Sequence, residues 1–126
     1  MSVVFDSSAL LAVTFGEDGA AVARRAMGGA VMSAVNVTEV ITRLIDRGAS
    51  PEQARWELSR FGLTIRPFDE SLALAAGSLR AATRYLGLSL GDRACLALAI
   101  RERAQVVTAD RAWASLDLGL DVQVIR

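Results

Sequence analysis

Short apolar runs rich in β-branched residues alternate along this sequence with longer stretches of helical periodicity. The strand-like runs lie at residues 3–5, 30–33, 63–68, 105–108 and 122–125. Strands that alternate with helices are typical of an α/β domain, in which each helix crosses between parallel strands. We therefore predict a mostly parallel central sheet of four to five strands flanked by helices. At 126 residues, the chain has the length of a single domain, 1–126.

The helical stretches carry start and stop signals. They are predicted at residues 8–13 and 20–27, along the apolar stripe of 37–45, from Ser50-Pro51 to about Phe61, from Asp69 to about Leu86, and from Leu90 to about Arg103 after a Ser89 cap. Residues 94–100 are apolar on every side, which places the last helix at the centre of the fold. Pro67 cannot donate a ladder hydrogen bond, so the strand of residues 63–68 should lie at an edge or end there.

Two absences from the composition limit the chemistry of any active site. The chain has no histidine, and all fourteen basic residues are arginine. Ser-His-Asp triads, histidine–metal sites and sites built on a catalytic lysine are therefore excluded. The formal net charge is zero, so overall charge gives no support to nucleic-acid binding. Carboxylates, arginines, hydroxyls and any metal that they hold remain.

Three features predict the compartment: the single cysteine, the length of the longest apolar run and the first six residues. Cys95 lies inside the apolar run of residues 94–100 and has no partner for a disulfide, as expected in a reducing compartment. That run is far shorter than a membrane span, and residues 1–6 lack the basic and small-residue features of a signal peptide. We expect a cytoplasmic protein without membrane contact.

Four acidic residues occupy positions where α/β sheets build their sites. Asp6 ends the first strand, Asp110 follows the strand of residues 105–108 by two residues, and Glu39 and Asp92 are each expected in the first turn of a helix. Sites of open parallel sheets form beyond the carboxyl ends of the strands. All four carboxylates can therefore project toward the same end of the sheet.

Carboxylates brought to one place must hold protons or bind cations. Two unit charges ~4 Å apart at an effective dielectric constant of ~20 repel by about 4 kcal/mol. Oxygen ligands without histidine or cysteine select Mg²⁺ or Mn²⁺. An ion of this kind lowers the pKa of a bound water and polarises a phosphodiester, so the four acids predict phosphodiester hydrolysis.

Each acid also has a structural explanation. Ser89 and Asp92 have the spacing of a capping box, and Glu39 and Arg43 are an i, i+4 pair worth only ~0.3–0.5 kcal/mol on a surface. Asp6 and Asp110 follow strands, where aspartate is common as a turn or cap residue. Only the joint placement of the four acids favours a site.

Residues 3–12, 33–40, 88–99 and 107–113 carry these acids in a recognisable context. At these segments the sequence resembles the PIN-domain nucleases and, more closely, the VapC-type toxins of bacterial toxin–antitoxin pairs. The similarity spans the whole chain, with the family's order of strands and helices. The resemblance implies a PIN-like fold and a Mg²⁺- or Mn²⁺-dependent endoribonuclease. Its metal-binding and catalytic acids would be Asp6, Glu39, Asp92 and Asp110.

The resemblance also suggests roles for residues around the acids. Ser7 and Thr108 match hydroxyl residues that orient carboxylates or metal-bound water, although turn hydrogen bonding explains them equally well. Asn36 would bond near Glu39 or cap its helix. Arg93 would contact a substrate phosphate or form a salt link. Trp113 occupies an aromatic position of the family that favours core packing over base stacking.

Partners follow from the same resemblance. Such toxins act on RNA, form homodimers and are neutralised by a small cognate antitoxin. The apolar stripe of Trp56, Leu58 and Phe61 is a possible docking surface for the antitoxin, and packing in the core explains these residues equally well. Water attack on phosphorus predicts 5′-phosphate and 3′-hydroxyl ends.

Other classes remain to be weighed. A phosphoacceptor receiver domain and the haloacid-dehalogenase class both need a lysine that the chain lacks. The alternative left open is a catalytically inactive PIN-like module that binds RNA or protein.

Overall fold

The computed structural model describes residues 2–126, and its elements follow the predicted alternation. The strands are β1 (Val3–Phe5), β2 (Ala30–Ser33), β3 (Thr64–Arg66), β4 (Gln105–Thr108) and β5 (Val122–Val124). The helices are α1 (Ser7–Phe15), α2 (Ala20–Ala26), α3 (Ala34–Asp46), α4 (Pro51–Ser59), α5 (Glu70–Ser78), α6 (Arg80–Thr83) and α7 (Leu90–Glu102). Two 3₁₀ helices cover Arg84–Leu86 and Arg111–Ser115.

The strands form one five-stranded sheet in the order β3-β2-β1-β4-β5, and every pairing is parallel. This confirms the predicted α/β class and the placement of the Pro67-terminated strand β3 at an edge. Strand β1 lies between β2 and β4. The segments that leave these three strands at their carboxyl ends are therefore neighbours.

Apolar side chains pack on both faces of the sheet, because successive strand residues point to opposite sides. Phe5, Met32 and Val107 pack with α1 and α3, whereas Val4 and Val106 pack with α5 and α7. Residues 94–99 of α7 are buried, as the all-round apolar pattern predicts. Ile100 is an exception and is 42% exposed.

Three details of the predicted helices are wrong. The helix after Asp69 ends at Ser78 and is followed by α6 and a 3₁₀ turn to Leu86. Gly77 weakens its last turn, and the break buries Thr83, whose hydroxyl bonds to the carbonyl of Leu79 at 2.8 Å.

The second and third details concern α3. The helix begins at Ala34, with Ser33 as its cap, so Glu39 lies in the second turn rather than in the first. Ile45 of the apolar stripe is 41% exposed, and Val40 and Leu44 are the stripe residues that are fully buried.

The stripe proposed as a docking surface is divided. Leu58 and Phe61 pack against the core, whereas Trp56 is 64% exposed and stacks near the guanidinium of Arg60. Among residues 2–126, no helix is long and apolar enough to cross a membrane.

Candidate active site at the carboxyl ends of the strands

Asp6 lies directly after the central strand β1. It occupies the N-cap position of α1, but its side chain makes no capping hydrogen bond. Its backbone N–H donates to the carbonyl of Val107 on β4 at 2.9 Å, which extends the strand pairing by one residue. The residue is only 3% exposed. A carboxylate is rarely buried so deeply unless it is paired, so its partners decide its role.

Two hydroxyls hold one oxygen of Asp6. Oδ2 accepts hydrogen bonds from Ser8 Oγ at 2.5 Å and from Thr108 Oγ1 at 3.0 Å. Both hydroxyls in turn accept backbone N–H groups, from Ala109 at 2.9 Å and from Asp110 at 3.1 Å. The other oxygen, Oδ1, is buried and has no hydrogen-bond partner in the part of the chain that the structure describes.

The pKa of Asp6 is raised from 3.8 to about 6, mainly by burial and to a lesser extent by the negative charges of Asp92 and Glu39, against the opposing hydrogen bonds from Ser8 and Thr108. The pKa of the Cys95 thiol is also raised, mainly by burial and then by the charges of Asp6, Asp92 and Glu39. Three of the predicted acids therefore lie close enough to interact. We call Asp6, Glu39 and Asp92 the acid cluster.

Glu39 reaches the cluster from the second turn of α3. Its Oε1 accepts hydrogen bonds from Ser7 Oγ at 3.0 Å and from Asn36 Nδ2 at 2.7 Å. Asn36 is completely buried, and its Nδ2 also donates to the carbonyl of Gly91 at 3.0 Å. Asn36 thus ties α3 to the start of α7, and the predicted bond to Glu39 is present. The cap of α3 is Ser33, not Asn36.

Gly91 brings the first turn of α7 against this carboxylate. A Cβ atom on Gly91 would lie 2.6 Å from Glu39 Cδ and 2.7 Å from Glu39 Oε1. These separations are far below van der Waals contact, so only glycine fits here while Glu39 keeps its position.

Asp92 has the structural role that its spacing predicts. Its Oδ2 accepts the backbone N–H of Ser89 at 2.9 Å, and its own N–H donates to Ser89 Oγ at 3.2 Å, which completes a capping box. The residue is half-buried. Since its charge also acts on Asp6, capping and membership of the acid cluster coexist in this side chain.

Asp110 is not brought into the acid cluster. It is exposed, and its Oδ1 accepts the N–H of Ala112 at 3.0 Å, which caps the 3₁₀ helix Arg111–Ser115. Its charge is not among the causes of the raised pKa of Asp6. Its backbone nevertheless borders the cluster through the bond from its N–H to Thr108 Oγ1.

The family model of the PIN domain matches residues 3–118. The chain belongs to the PIN domain family. Comparison with curated protein sequences gives no match.

Solved structures share the architecture of this PIN domain. The chain is similar to VapBC2 from Rickettsia felis, bound to a DNA fragment from its promoter, with a TM-score of 0.75, 19% identity and 100% of both chains covered. A toxin–antitoxin complex from Klebsiella pneumoniae has a TM-score of 0.75 and 18% identity, with 98% of each chain covered. Mycobacterium tuberculosis VapC20, a Sarcin–Ricin loop cleaving toxin, has a TM-score of 0.71 and 15% identity, covering 91% of this chain and 96% of that one. At these identities, the likeness shows the shared fold.

The donor atoms of the PIN domain site are compatible with a hard divalent cation. Within residues 2–126, no three metal-ligating side chains are arranged closely enough to hold a metal ion by themselves. Magnesium, however, is commonly bound through one or two carboxylates while it keeps several waters. The buried Asp6 Oδ1, which lacks a partner, is a free donor of the required kind beside two further carboxylates.

Two other predicted residues of the PIN domain face the core. Arg93 Nη1 donates to the carbonyl of Ala76 on α5 at 3.1 Å, so its guanidinium is held against α5. Its contact with a phosphate stays a prediction. Trp113 is completely buried and packs with the α7 side of the core, as its packing interpretation expects.

Sequence reasoning missed Ser8 and Gly91. A hydroxyl two residues after a strand-ending acid is a common local hydrogen-bonding pattern, which was a usable signal for Ser8. Gly91 in the first turn of an apolar helix signals a close approach. The neighbour that makes the approach, Glu39, is 52 positions earlier in the sequence and cannot be read from the spacing.

Proposed function

We propose that this PIN domain is a VapC-type toxin, a Mg²⁺- or Mn²⁺-dependent endoribonuclease that hydrolyses RNA phosphodiesters. One observation carries the proposal: the buried Asp6 carboxylate keeps an oxygen without a partner beside Glu39 and Asp92. A purely structural aspartate at this depth would be expected to satisfy both oxygens.

In this proposal the acids bind the metal ion, and the neighbouring hydroxyl and amide groups orient the acids. Asp6, Glu39 and Asp92 would hold the metal ion, and Asp110 would join them by leaving its local cap. When bound, the ion supplies Lewis-acid activation of water and of the phosphodiester. Ser8 and Thr108 fix Oδ2 of Asp6 and leave Oδ1 available, while Ser7 and Asn36 fix Glu39.

The expected products are 5′-phosphate and 3′-hydroxyl ends. The chain has no histidine or lysine to assist attack by a ribose 2′-oxygen, so water is the expected nucleophile. A 2′,3′-cyclic phosphate would contradict this mechanism.

A cognate antitoxin and a homodimeric state belong to the same proposal. Their support is the similarity of the fold to chains taken from toxin–antitoxin complexes. A small antitoxin encoded beside this chain, co-purifying with it and suppressing its activity, would bear out the partner.

A cleavage assay tests the activity. The purified chain should cut RNA in Mg²⁺ or Mn²⁺, stop in EDTA and recover when the metal is restored. Asp6→Ala and Asp92→Asn should abolish cleavage, whereas Asp46→Asn, at an exposed carboxylate that ends α3, should retain it. Cleavage that persists in both cluster variants would contradict the site. A folded wild-type chain that binds RNA without cutting it would support the inactive-module alternative.

A further inference from the structure

A groove between α1 and α3 opens beside the acid cluster. It consists of two cavities of about 310 and 220 Å³ that share Ser7, Leu11 and Arg43. The first also contacts Glu39, and the second is bordered by Glu17 and Arg126. We call this surface the Arg43 groove. Ser7 belongs to the groove and also binds Glu39, so the groove and the acid cluster adjoin.

Arg43 is an exposed cation that lines both cavities of this groove. Among residues 2–126, no acidic side chain forms an ion pair with it. The i, i+4 pair with Glu39 that the spacing suggests is absent, and Oε1 of the Glu39 carboxylate instead accepts hydrogen bonds from Ser7 and Asn36. Within the described residues, Arg43 is therefore without an acidic partner, one helical turn from Glu39.

Two more arginines lie near Arg43, and both already have partners. Arg126 lines the groove and pairs with Glu17 at 3.2 Å, and Arg111 Nε donates to the carbonyl of Arg126 at 2.9 Å. Arg43 therefore differs from Arg126 in having no acidic partner in the part of the chain that the structure describes.

We propose that the Arg43 groove holds the RNA backbone next to the phosphodiester that is cut, with the Arg43 guanidinium on a neighbouring phosphate. This inference rests on the proposed nuclease function and adds the path of the substrate. Carboxylates repel an approaching phosphate, and a neighbouring cation offsets that repulsion for the strand as it binds. Guanidinium groups suit the task because their planar N–H donors match two phosphate oxygens. Arg43 is thus a positioning residue.

The test separates binding from cleavage. A fluorescein-labelled, single-stranded oligoribonucleotide of mixed sequence is titrated with the full chain in EDTA at several salt concentrations. Arg43→Gln should weaken binding and reduce the slope of log K against log salt by about 0.7, the value for one phosphate contact on a single strand. Arg43→Lys should keep most of the slope, because the charge is retained.

Arg25→Gln is the matched control. Arg25 is an exposed arginine in the last turn of α2, which leads into the amino end of β2, opposite the acid cluster. This variant should bind and cut RNA like the wild type. In Mg²⁺, Arg43→Gln should raise KM more than it lowers kcat, a split that damage to the acid cluster would not give.

The outcomes are distinct. Equal salt slopes for Arg43→Gln and Arg25→Gln in a chain that cuts RNA would overturn the groove assignment and leave the nuclease function intact. That result is also the one expected if the groove receives a protein segment rather than RNA. A wild-type chain that neither binds nor cuts RNA would contradict the proposed function itself.

Discussion

Two junctions in this fold follow the same plan and differ in chemistry. At each, a buried strand ends near an aspartate in extended conformation that precedes a helix: Asp6 between β1 and α1, and Asp110 between β4 and a 3₁₀ helix. Asp6 is 3% exposed, makes no side-chain cap and keeps Oδ1 without a partner. Asp110 is exposed and binds the N–H of Ala112.

The difference shows that a position at the end of a strand makes a carboxylate a candidate for an active site but does not determine its role. Strand β1 is central, with β2 and β4 on either side, and the hydroxyls of Ser8 and Thr108 occupy one oxygen of Asp6. The second oxygen is thereby left without a donor. Asp110 instead accepts a helix N–H as an ordinary cap does, so its carboxylate has a hydrogen-bond partner without a cation.

The largest expected effect separates the two junctions by activity. Asp6→Asn should reduce metal-dependent RNA cleavage by more than about 100-fold, since even indirect partners of a metal ligand are worth ~10–100-fold. Asp110→Asn should cost less, because its carboxylate must leave its cap to take part. Initial rates in Mg²⁺ measure both. Equal losses would show that Asp110 turns into the cluster when the metal binds, and the contrast between the junctions would apply only without metal.

The next effect concerns stability and pH. The pKa of Asp6 is raised from 3.8 to about 6 in the folded chain, so the folded state binds this proton more tightly than the unfolded state. The free energy of unfolding therefore falls as pH rises through this window. About two pKa units correspond to ~3 kcal/mol. Asp110→Asn should leave this pH dependence unchanged.

Urea unfolding in EDTA measures this effect. The stability of Asp6→Asn relative to wild type should rise by up to ~3 kcal/mol between pH 3.5 and pH 7.5, because asparagine cannot ionise. Added Mg²⁺ should then stabilise the wild type at pH 7.5 more than it stabilises Asp6→Asn. A constant difference between the two proteins at all pH values would mean that Asp6 titrates normally.

Much of the fold was readable from the sequence because its signals are local. Ser50 and Gln53 form a capping box at the predicted helix start, and the fully apolar run in α7 is buried as expected. The strand ended by Pro67 lies at the sheet edge. Each of these depends on residues within a few positions of one another.

The site was only partly readable, because its contacts join distant segments. Asn36 bonds to Gly91, 55 positions away, and Thr108 bonds to Asp6 across 102 positions. Spacing placed Asp6 and Asp110 at equivalent strand ends and could not distinguish them, since burial and hydrogen-bond partners come from packing. The break after Ser78 was likewise missed, because the burial of Thr83 is a tertiary effect.

A third prediction concerns the acid cluster at the Asp6 junction and tests whether the position of Glu39 matters for activity. Gly91→Ala would place a Cβ atom 2.6 Å from Glu39 Cδ and so push the Glu39 carboxylate away from Ser7 and Asn36. Activity should fall by ~10–100-fold, as for the loss of a partner that orients a metal ligand. The fold should persist, because the displaced group is the end of a flexible side chain.

Gly77→Ala is the control for this change. A Cβ atom there meets nothing within 4 Å, so the variant should retain activity and gain up to ~1 kcal/mol from helix propensity. Circular dichroism and thermal unfolding verify folding for both variants. Full activity in Gly91→Ala would show that the position of Glu39 is not needed for cleavage.

The smallest expected effect comes from the side chain that contacts both junctions. Thr108 Oγ1 donates to Asp6 Oδ2 and accepts the N–H of Asp110. Thr108→Val keeps the shape and removes both bonds, which should lower the free energy of unfolding by about 1–2 kcal/mol. Thr14→Val should cost less, because the Thr14 hydroxyl only supplements a helical carbonyl, that of Leu10.

The same substitution distinguishes coupling from simple loss of stability. The Thr108 hydroxyl lowers the pKa of Asp6, so in Thr108→Val the fall in stability with rising pH should continue to a higher pH than in the wild type. Thr108→Ser, which retains the hydroxyl, should restore the wild-type pH dependence. If Thr108→Val loses stability equally at every pH, the hydroxyl supports only the Asp110 junction, and the two strand ends are energetically independent.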